Sequence, residues 1–252
     1  MALLKRYLIS AAAVCPRFVF ALVSVWAWAI FVSDARGQST SEQPKAFRTL
    51  AISSEAQGIF YDLRGKPVSV TATDAGLSPS YEVPSGGRIV FYRLQPAETA
   101  SEKPHRINIA EVEMNGVGPF LVFMAAKPES PGEYFVQVAE DSWATHPVET
   151  IRLFNFSRRN LVVRIVIKDV VVELAPSQDR VLPYVAGGQF WLQVATKEPE
   201  GWVMRVSAPQ IAPPKARISA IMFDQAPSIN RPATRELQLV KFIDVAPQPV
   251  VP

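Results

Sequence analysis

Chemistry in a protein needs side chains that move protons, attack carbonyls or hold metals, and this chain has few of them in useful company. Its only histidines are His105 and His146. Neither has a second histidine three or four residues away, so the paired spacing that gathers zinc or copper is missing. His105 lies in the polar run SEKPHR and reads as a solvated side chain, whereas His146 follows Trp143 in SWATHPV and reads as packed there. Asp141, Ser142 and His146 stand close in sequence. A hydrolytic triad, however, is a chain of hydrogen bonds in space that a short linear segment seldom provides. No G-x-S-x-G elbow occurs. Glu111 and Glu113 share one face of a strand and invite comparison with a glycosidase carboxylate pair. Val112 and Met114 would then face a core, which accounts for the spacing as a wetted strand face. Gly86-Gly87 and Gly187-Gly188 precede strand-like runs, so neither offers a helix N-terminus to a phosphate. No catalytic, cofactor-binding or metal-ligating residue is expected, and the chain reads as a non-enzyme.

Aromatic residues give the better clue, and it concerns binding. Phe190 and Trp191 are adjacent in a strand-like run and must point to opposite faces. With Phe190, Leu192 and Val194 turned to a core, Trp191 and Gln193 face outward. In an aligned first repeat Phe91 takes the place of Trp191, beside Arg93. Phe91, Arg93, Trp191 and Gln193 are therefore the expected partner surface. An outward aromatic on a sheet can pack a protein or stack a sugar ring, and packing against a sister domain or a protein partner is the preferred reading. The run Leu161–Ile167 (LVVRIVI), followed by VVVEL, is the most β-prone stretch. It must be covered, by the core or by a partner's strand, and the core is expected.

These residues need elements to hold them, and the first 35 residues are unlike the rest. Lys5, Arg6 and Arg17 precede an unbroken apolar run, Phe18 to Val32, and Ser33-Asp34-Ala35 then sets small residues for a cut after Ala35. This is the order of a secretory signal. As a helix the run spans about 22 Å, short of the roughly 30 Å hydrocarbon core, so cleavage is expected over anchoring and no membrane span remains. Cys15 is the only cysteine and leaves with the signal, so the exported body can form neither a disulfide nor a thiolate site. Cleavage also removes three of 26 basic and one of 23 acidic side chains, lowering the formal charge from +3 to about +1. Arg158-Arg159 is the densest basic cluster left, too little for a polyanion, and nucleic acid is not an expected partner.

After a polar leader (residues 36–45) the chain reads as short strands. Its 22 prolines fall between apolar segments, and no long window shows a capped helical period. Thirteen strands are expected, beginning near Ile59, Val68, Ile89, Ile107, Phe120, Tyr134, Ile151, Leu161, Val170, Phe190, Trp202, Ile218 and Leu237. Val68 and Val70 against Ser69 and Thr71 illustrate the half-buried alternation. The run QIAPPK (210–215) and the tail APQPVVP are expected as extended loops.

Several features recur in order. FYDL from Phe60 resembles LFNF from Leu153, the Gly-Gly turn before IVFYRL resembles that before FWLQV, FLVFMAA resembles ISAIMFD, and YFVQVAED resembles LVKFID. The offset of about 95 residues matches one immunoglobulin-like sandwich. The expected architecture is thus all-β: two tandem immunoglobulin-like β-sandwich domains, 46–142 and 150–252, joined by a linker at 143–149. A single larger barrel is the competitor.

The functional expectation is an exported binding or scaffold module of the periplasm, cell envelope or extracellular space, with a protein partner ahead of a carbohydrate. Two sandwiches, a signal and no mature cysteine also resemble the layout of pilus-assembly chaperones, and that resemblance implies pairing of an edge strand. The family's anchoring Arg and Lys have no counterpart that can be placed here, so the resemblance stops at layout. A secreted carbohydrate-active enzyme with dispersed carboxylates is the third alternative.

Overall fold

The computed structural model describes residues 45–52, 56–74, 76–96, 104–127, 130, 132–166, 169–225 and 236–246. The expected signal, most of the leader and the tail from residue 247 lie outside them. Alternating apolar and polar residues rich in Val, Ile, Phe and Tyr make strands wherever one face can be buried, and the described residues contain sixteen. The first half holds β1 (Ala46–Ile52), β2 (Ala56–Leu63), β3 (Lys66–Ala72), β4 (Tyr81–Glu82), β5 (Arg88–Gln95), β6 (His105–Glu113), β7 (Phe120–Ala126) and β8 (Tyr134–Glu140). The second holds β9 (Thr150–Asn155), β10 (Leu161–Ile165), β11 (Val170–Leu174), β12 (Asp179–Pro183), β13 (Gly188–Glu198), β14 (Gly201–Ala212), β15 (Ala216–Asp224) and β16 (Leu237–Val245). Among the described residues no helix is long and apolar enough to cross a membrane.

These strands form four four-stranded sheets. In the first half the orders are β4-β1-β7-β8 and β3-β2-β5-β6; in the second they are β12-β9-β15-β16 and β11-β10-β13-β14. Adding eight to each strand number converts one half into the other. The pairing senses agree as well, since β1 runs parallel to β7 and β9 parallel to β15 while their neighbours are antiparallel. Turn chemistry follows suit. Gly87 and Gly187, at φ 72° and 83°, turn the chain into β5 and β13, a backbone region open to glycine at no steric cost. The strand order departs from that of an immunoglobulin domain, where the second and third strands lie in different sheets. Here β2 and β3 form one hairpin, closed by Arg64-Gly65 with both φ positive, the conformation of a two-residue type I′ turn.

Each half packs its two sheets over its own core. Phe47, Ile59, Tyr61, Phe91, Phe120 and Val122 centre the first, and Ile151, Leu161, Val163, Phe190, Leu192 and Ile218 the second. A third core joins the halves: Leu50, Ile52, Leu121 and Phe123 from the first meet Phe154, Ile221 and Phe223 from the second. Phe123 sits 4.9 Å from Phe154 and 4.7 Å from Phe156, ring centre to ring centre. The layers therefore run outer, inner, inner, outer, and all the described residues belong to one compact unit.

The structure corrects the sequence reading in several places. Strands β1, β4 and β12 were not among those expected, and β14 runs through Gln210–Ala212, where a loop was expected. The first three residues of LFNF close β9, whose topological counterpart is β1 and not the FYDL strand β2. The other three resemblances fall on counterpart strands.

Candidate functional site

The structure places each of the side chains weighed for chemistry. His105 is exposed on β6, while His146 is wholly buried, its Nδ1 3.0 Å from Asp141 Oδ1. Ser142 takes no part in that pair, because its hydroxyl turns to Thr145 at 3.1 Å. Asp141 belongs instead to an ion cluster at the join between halves. Its Oδ2 accepts from Arg217 at 2.8 Å, and Arg217 also donates to the carbonyl oxygens of Asp141 and His146. Arg48 grips Asp244 with two hydrogen bonds, 3.1 and 2.8 Å, and the Trp143 ring covers the Arg217 guanidinium at 3.9 Å. Burial lowers the pKa of Arg217. Burial opposes the charge of Asp244, but hydrogen bonding to Arg48 prevails and holds its carboxyl below the usual range. Charges drawn from β1, β15, β16 and the segment after β8 pair with one another here, so the cluster is a clasp.

Glu111 lies on the exposed face of β6, paired with Arg88 at 2.5 Å, and this partner lowers its pKa. Val112 and Met114 are buried, which is the face assignment that the spacing implied. Arg159, of the one basic cluster, pairs with Asp224 at 3.1 Å. Among the described residues no group of three or more His, Cys, Asp or Glu could hold a metal ion. Strand β10, from the β-prone run, lies inside its sheet with Leu161, Val163 and Ile165 in the core.

The expected partner surface divides. Phe190, Leu192 and Val194 are buried, so Trp191 and Gln193 turn outward, and Trp191 is 46% exposed. Phe91 is fully buried and takes no part in any surface. Arg93 stays near the core edge, its guanidinium 5.5 Å over the Tyr134 ring and bonded to the phenol oxygen. The error was one of register. Ile89 and Phe190 are the equivalent core residues, facing Val112 and Gln210 across their hairpins, so Val90 is the counterpart of Trp191. A one-residue slip sends a side chain to the other face.

Residues opposite one another on paired strands share a face, and this rule reconstructs the outer surface of the β11-β10-β13-β14 sheet. One row holds Val171, Arg164, Gln193 and Ser207; a second holds Glu173, Val162, Ala195 and Met204. Trp191 faces Pro209, Gln189 faces Ile211, and Lys197 faces Trp202. The cation in the middle is neutralised, since Arg164 pairs with Asp169 at 2.6 Å. Trp202 and Met204 are each 53% exposed and Ile211 66%. Beside Trp202 lies a cleft of about 220 Å³, with Leu161 and Leu174 in its lining together with Asn160, Glu173 and Gln178. Trp202 was not singled out in sequence because alternation exposes one residue in two, whereas the first residues of β14 are exposed on successive positions.

The outer sheet of the first half is different. Asp62 accepts from Tyr92 at 2.7 Å and from Arg106 at 2.5 Å, and Arg106 also lies 4.5 Å over the Tyr92 ring. Burial and the Asp62 hydrogen bond push the Tyr92 phenol up to about 12. That face is closed by its own ion pairs. No family model matches this chain, and no curated protein matches it in sequence.

Proposed function

We propose that the chain is an exported, non-catalytic binding module whose working surface is the outer face of the β11-β10-β13-β14 sheet. The observation that carries the reading is the exposure of Trp191, Trp202, Met204 and Ile211 together on one otherwise neutral sheet face. Large apolar side chains exposed together on one face mark surfaces on which something docks. Export rests on the signal-like order of residues 1–35. The two halves are best read as a tandem duplication of one eight-stranded sandwich. Matching strand order, matching pairing senses and a join made from equivalent inner sheets support that origin, since self-complementary faces are those by which copies of one chain pair.

The protein, purified from the exported fraction, should co-sediment with envelope material from its own cell, and Trp191→Ser with Trp202→Ser should abolish that retention while leaving the circular dichroism spectrum unchanged. Retention that survives this double change and is lost on Arg88→Gln with Glu111→Gln would place the working surface on the other half and end the proposal.

A second reading rests on β14, a twelve-residue edge strand with a single charged residue, Arg205. Such an edge is a template for a partner's strand, the chaperone-like alternative. Pro209, the ninth of the twelve residues, lacks an N–H and interrupts the template, which favours the face over the edge.

A further inference from the structure

The cleft beside Trp202 has a chemistry of its own. Trp202 stands half exposed at the start of β14, where an aromatic face is open to one side. Across the cleft are an amide, Asn160, and a carboxylate, Glu173, and among the described residues neither has a side-chain partner. Gln178 spends its carbonyl oxygen on the Ala175 N–H, so its NH₂ group remains free to donate. The volume, about 220 Å³, is below the ~300 Å³ at which pockets for drug-sized ligands begin. It suits one ring with a polar rim and an apolar face.

We infer that this cleft binds one ring of a neutral glycan, with the sugar's C–H face stacked on Trp202 and its hydroxyls bonded to Asn160, Glu173 and Gln178. The inference rests on the outer sheet face being the working surface. Each part of the site selects for that chemistry. A hexose is apolar on its ring face and polar around its rim, the combination that an indole beside amides and a carboxylate receives. Glu173 only accepts, so it takes hydroxyl donors and repels carboxylated or phosphorylated sugars. Among the described lining residues none is a lysine or arginine, and the nearest cation on the face is Lys197, opposite Trp202.

The face beyond the cleft fits a chain of rings. Lys197, opposite Trp202, is six residues from Trp191 along β13, a distance of about 20 Å at the strand rise. Gln193 and Ser207 lie on the same face between the two indoles. A linear glycan seated at Trp202 can therefore reach Trp191, whereas a disaccharide cannot. This is where the structure moves away from the protein partner preferred from sequence. The amides and carboxylate beside Trp202 have nothing to offer an apolar side chain, and leaving them unpaired beneath a protein would be costly.

The test is calorimetric titration of the exported protein with neutral β-linked glucan, xylan, mannan and chitin oligosaccharides, from disaccharide to hexasaccharide. At least one series should bind. Trp202→Ala should weaken every length by about tenfold or more, the loss typical of a stacked anchor, and Glu173→Gln should weaken binding without changing the fold. Trp191→Ala should weaken hexasaccharide binding and leave the disaccharide unaffected. If no neutral series binds while envelope retention still depends on Trp191 and Trp202, the glycan is wrong and a protein partner takes its place. If choline binds instead, with Trp202 and Glu173 acting as a cation site, the ligand class is likewise overturned. If retention itself is indifferent to both tryptophans, the working surface has been misplaced and both proposals fall.

Discussion

At equivalent places in the two halves, the same strands carry opposite surfaces. The turn before β5 leads to Arg88, then to Val90 on the same face; the turn before β13 leads to Gln189, then to Trp191. Across the hairpins, Glu113 and Glu111 face the first pair where Ile211 and Pro209 face the second. The buried residues between them stay of one kind, Ile89 and Phe91 against Phe190 and Leu192. What the two sandwiches share is the inward half of the alternation, which folding requires. They differ in the outward half, which folding leaves free. An outer face closed by Arg88–Glu111 and Asp62–Tyr92–Arg106 contacts water on good terms, while one bearing two exposed tryptophans is held open for something else.

The comparison assumes two halves locked together, and the largest effect is expected from unlocking them. Asp141→Asn removes the charge that Arg217 and Arg48 share at the join, where Arg217 is almost wholly buried. Breaking a buried pair on one side typically costs roughly 3–5 kcal/mol. Calorimetry should show a single melting transition resolving into two, one per sandwich. Acid should act in the same direction. The carboxyl of Asp244 is held below its unfolded value, so its contribution is complete above about pH 4 and is lost as pH falls through the folded pKa. A variant that melts in one transition with unchanged stability would remove the clasp from the account.

An effect of the same order, confined to one half, separates the two residues that the sequence had aligned. Phe91→Ala opens a cavity in the first core and should cost about 3–5 kcal/mol, read as a fall in the denaturation midpoint. Trp191→Ala exposes nothing that is buried and should stay within about 0.5 kcal/mol of the parent, as surface changes do. Equal losses would mean that Trp191 is a packing residue and that the open face is misread.

Next in size is an alkaline transition common to both halves. Burial and Asp62 raise Tyr92 to about 12, and burial beside Glu149 raises Tyr184 to about 12. A phenol whose folded pKa lies above its unfolded value near 10 contributes fully below pH 10, and that contribution fades as pH rises through 12. Stability measured by urea titration should therefore drop between pH 10 and 12, and Tyr92→Phe together with Tyr184→Phe should flatten the curve. A drop of equal depth in the double variant would assign it to other groups.

The all-β class and every one of the thirteen expected strands were legible, because alternation and turn residues are local signals. β1 was not legible. Its run FRTLAI carries Arg48 and Thr49 inside a central strand, and nothing local says that Arg48 will find Asp244 across the join or that Thr49 will bond Thr71. The short β4 and the half-exposed β12 lack a clear pattern for a related reason, since each is an edge strand pairing on one side only. The surface was legible to within one residue. Trp191 followed from its buried neighbours, but transferring the pattern to Phe91 required a register that only pairing across the hairpin defines. The Trp202 cleft needs β11, β10, β13 and β14 assembled in that order, so that Trp202 comes to lie near Asn160 and Glu173, a juxtaposition no single segment announces.

The smallest effect is expected from an ion pair that stands in water. Arg88 and Glu111 are both well exposed, and solvated pairs gain little because water and salt screen them while ordering two long side chains opposes the gain. Arg88→Gln with Glu111→Gln should leave the melting temperature unchanged within error and leave ligand binding intact. A second change, Gln189→Arg with Ile211→Glu, gives the second half's face the charges that Arg88 and Glu113 carry at the equivalent, directly opposed positions of the first half. Its effect on stability should again be within about 0.5 kcal/mol, but it places charge beside Trp191 and should weaken hexasaccharide binding. If instead it destabilises the fold by more than about 1 kcal/mol, Ile211 is packed and not presented, and the contrast between the outer faces is one of stability and not of function.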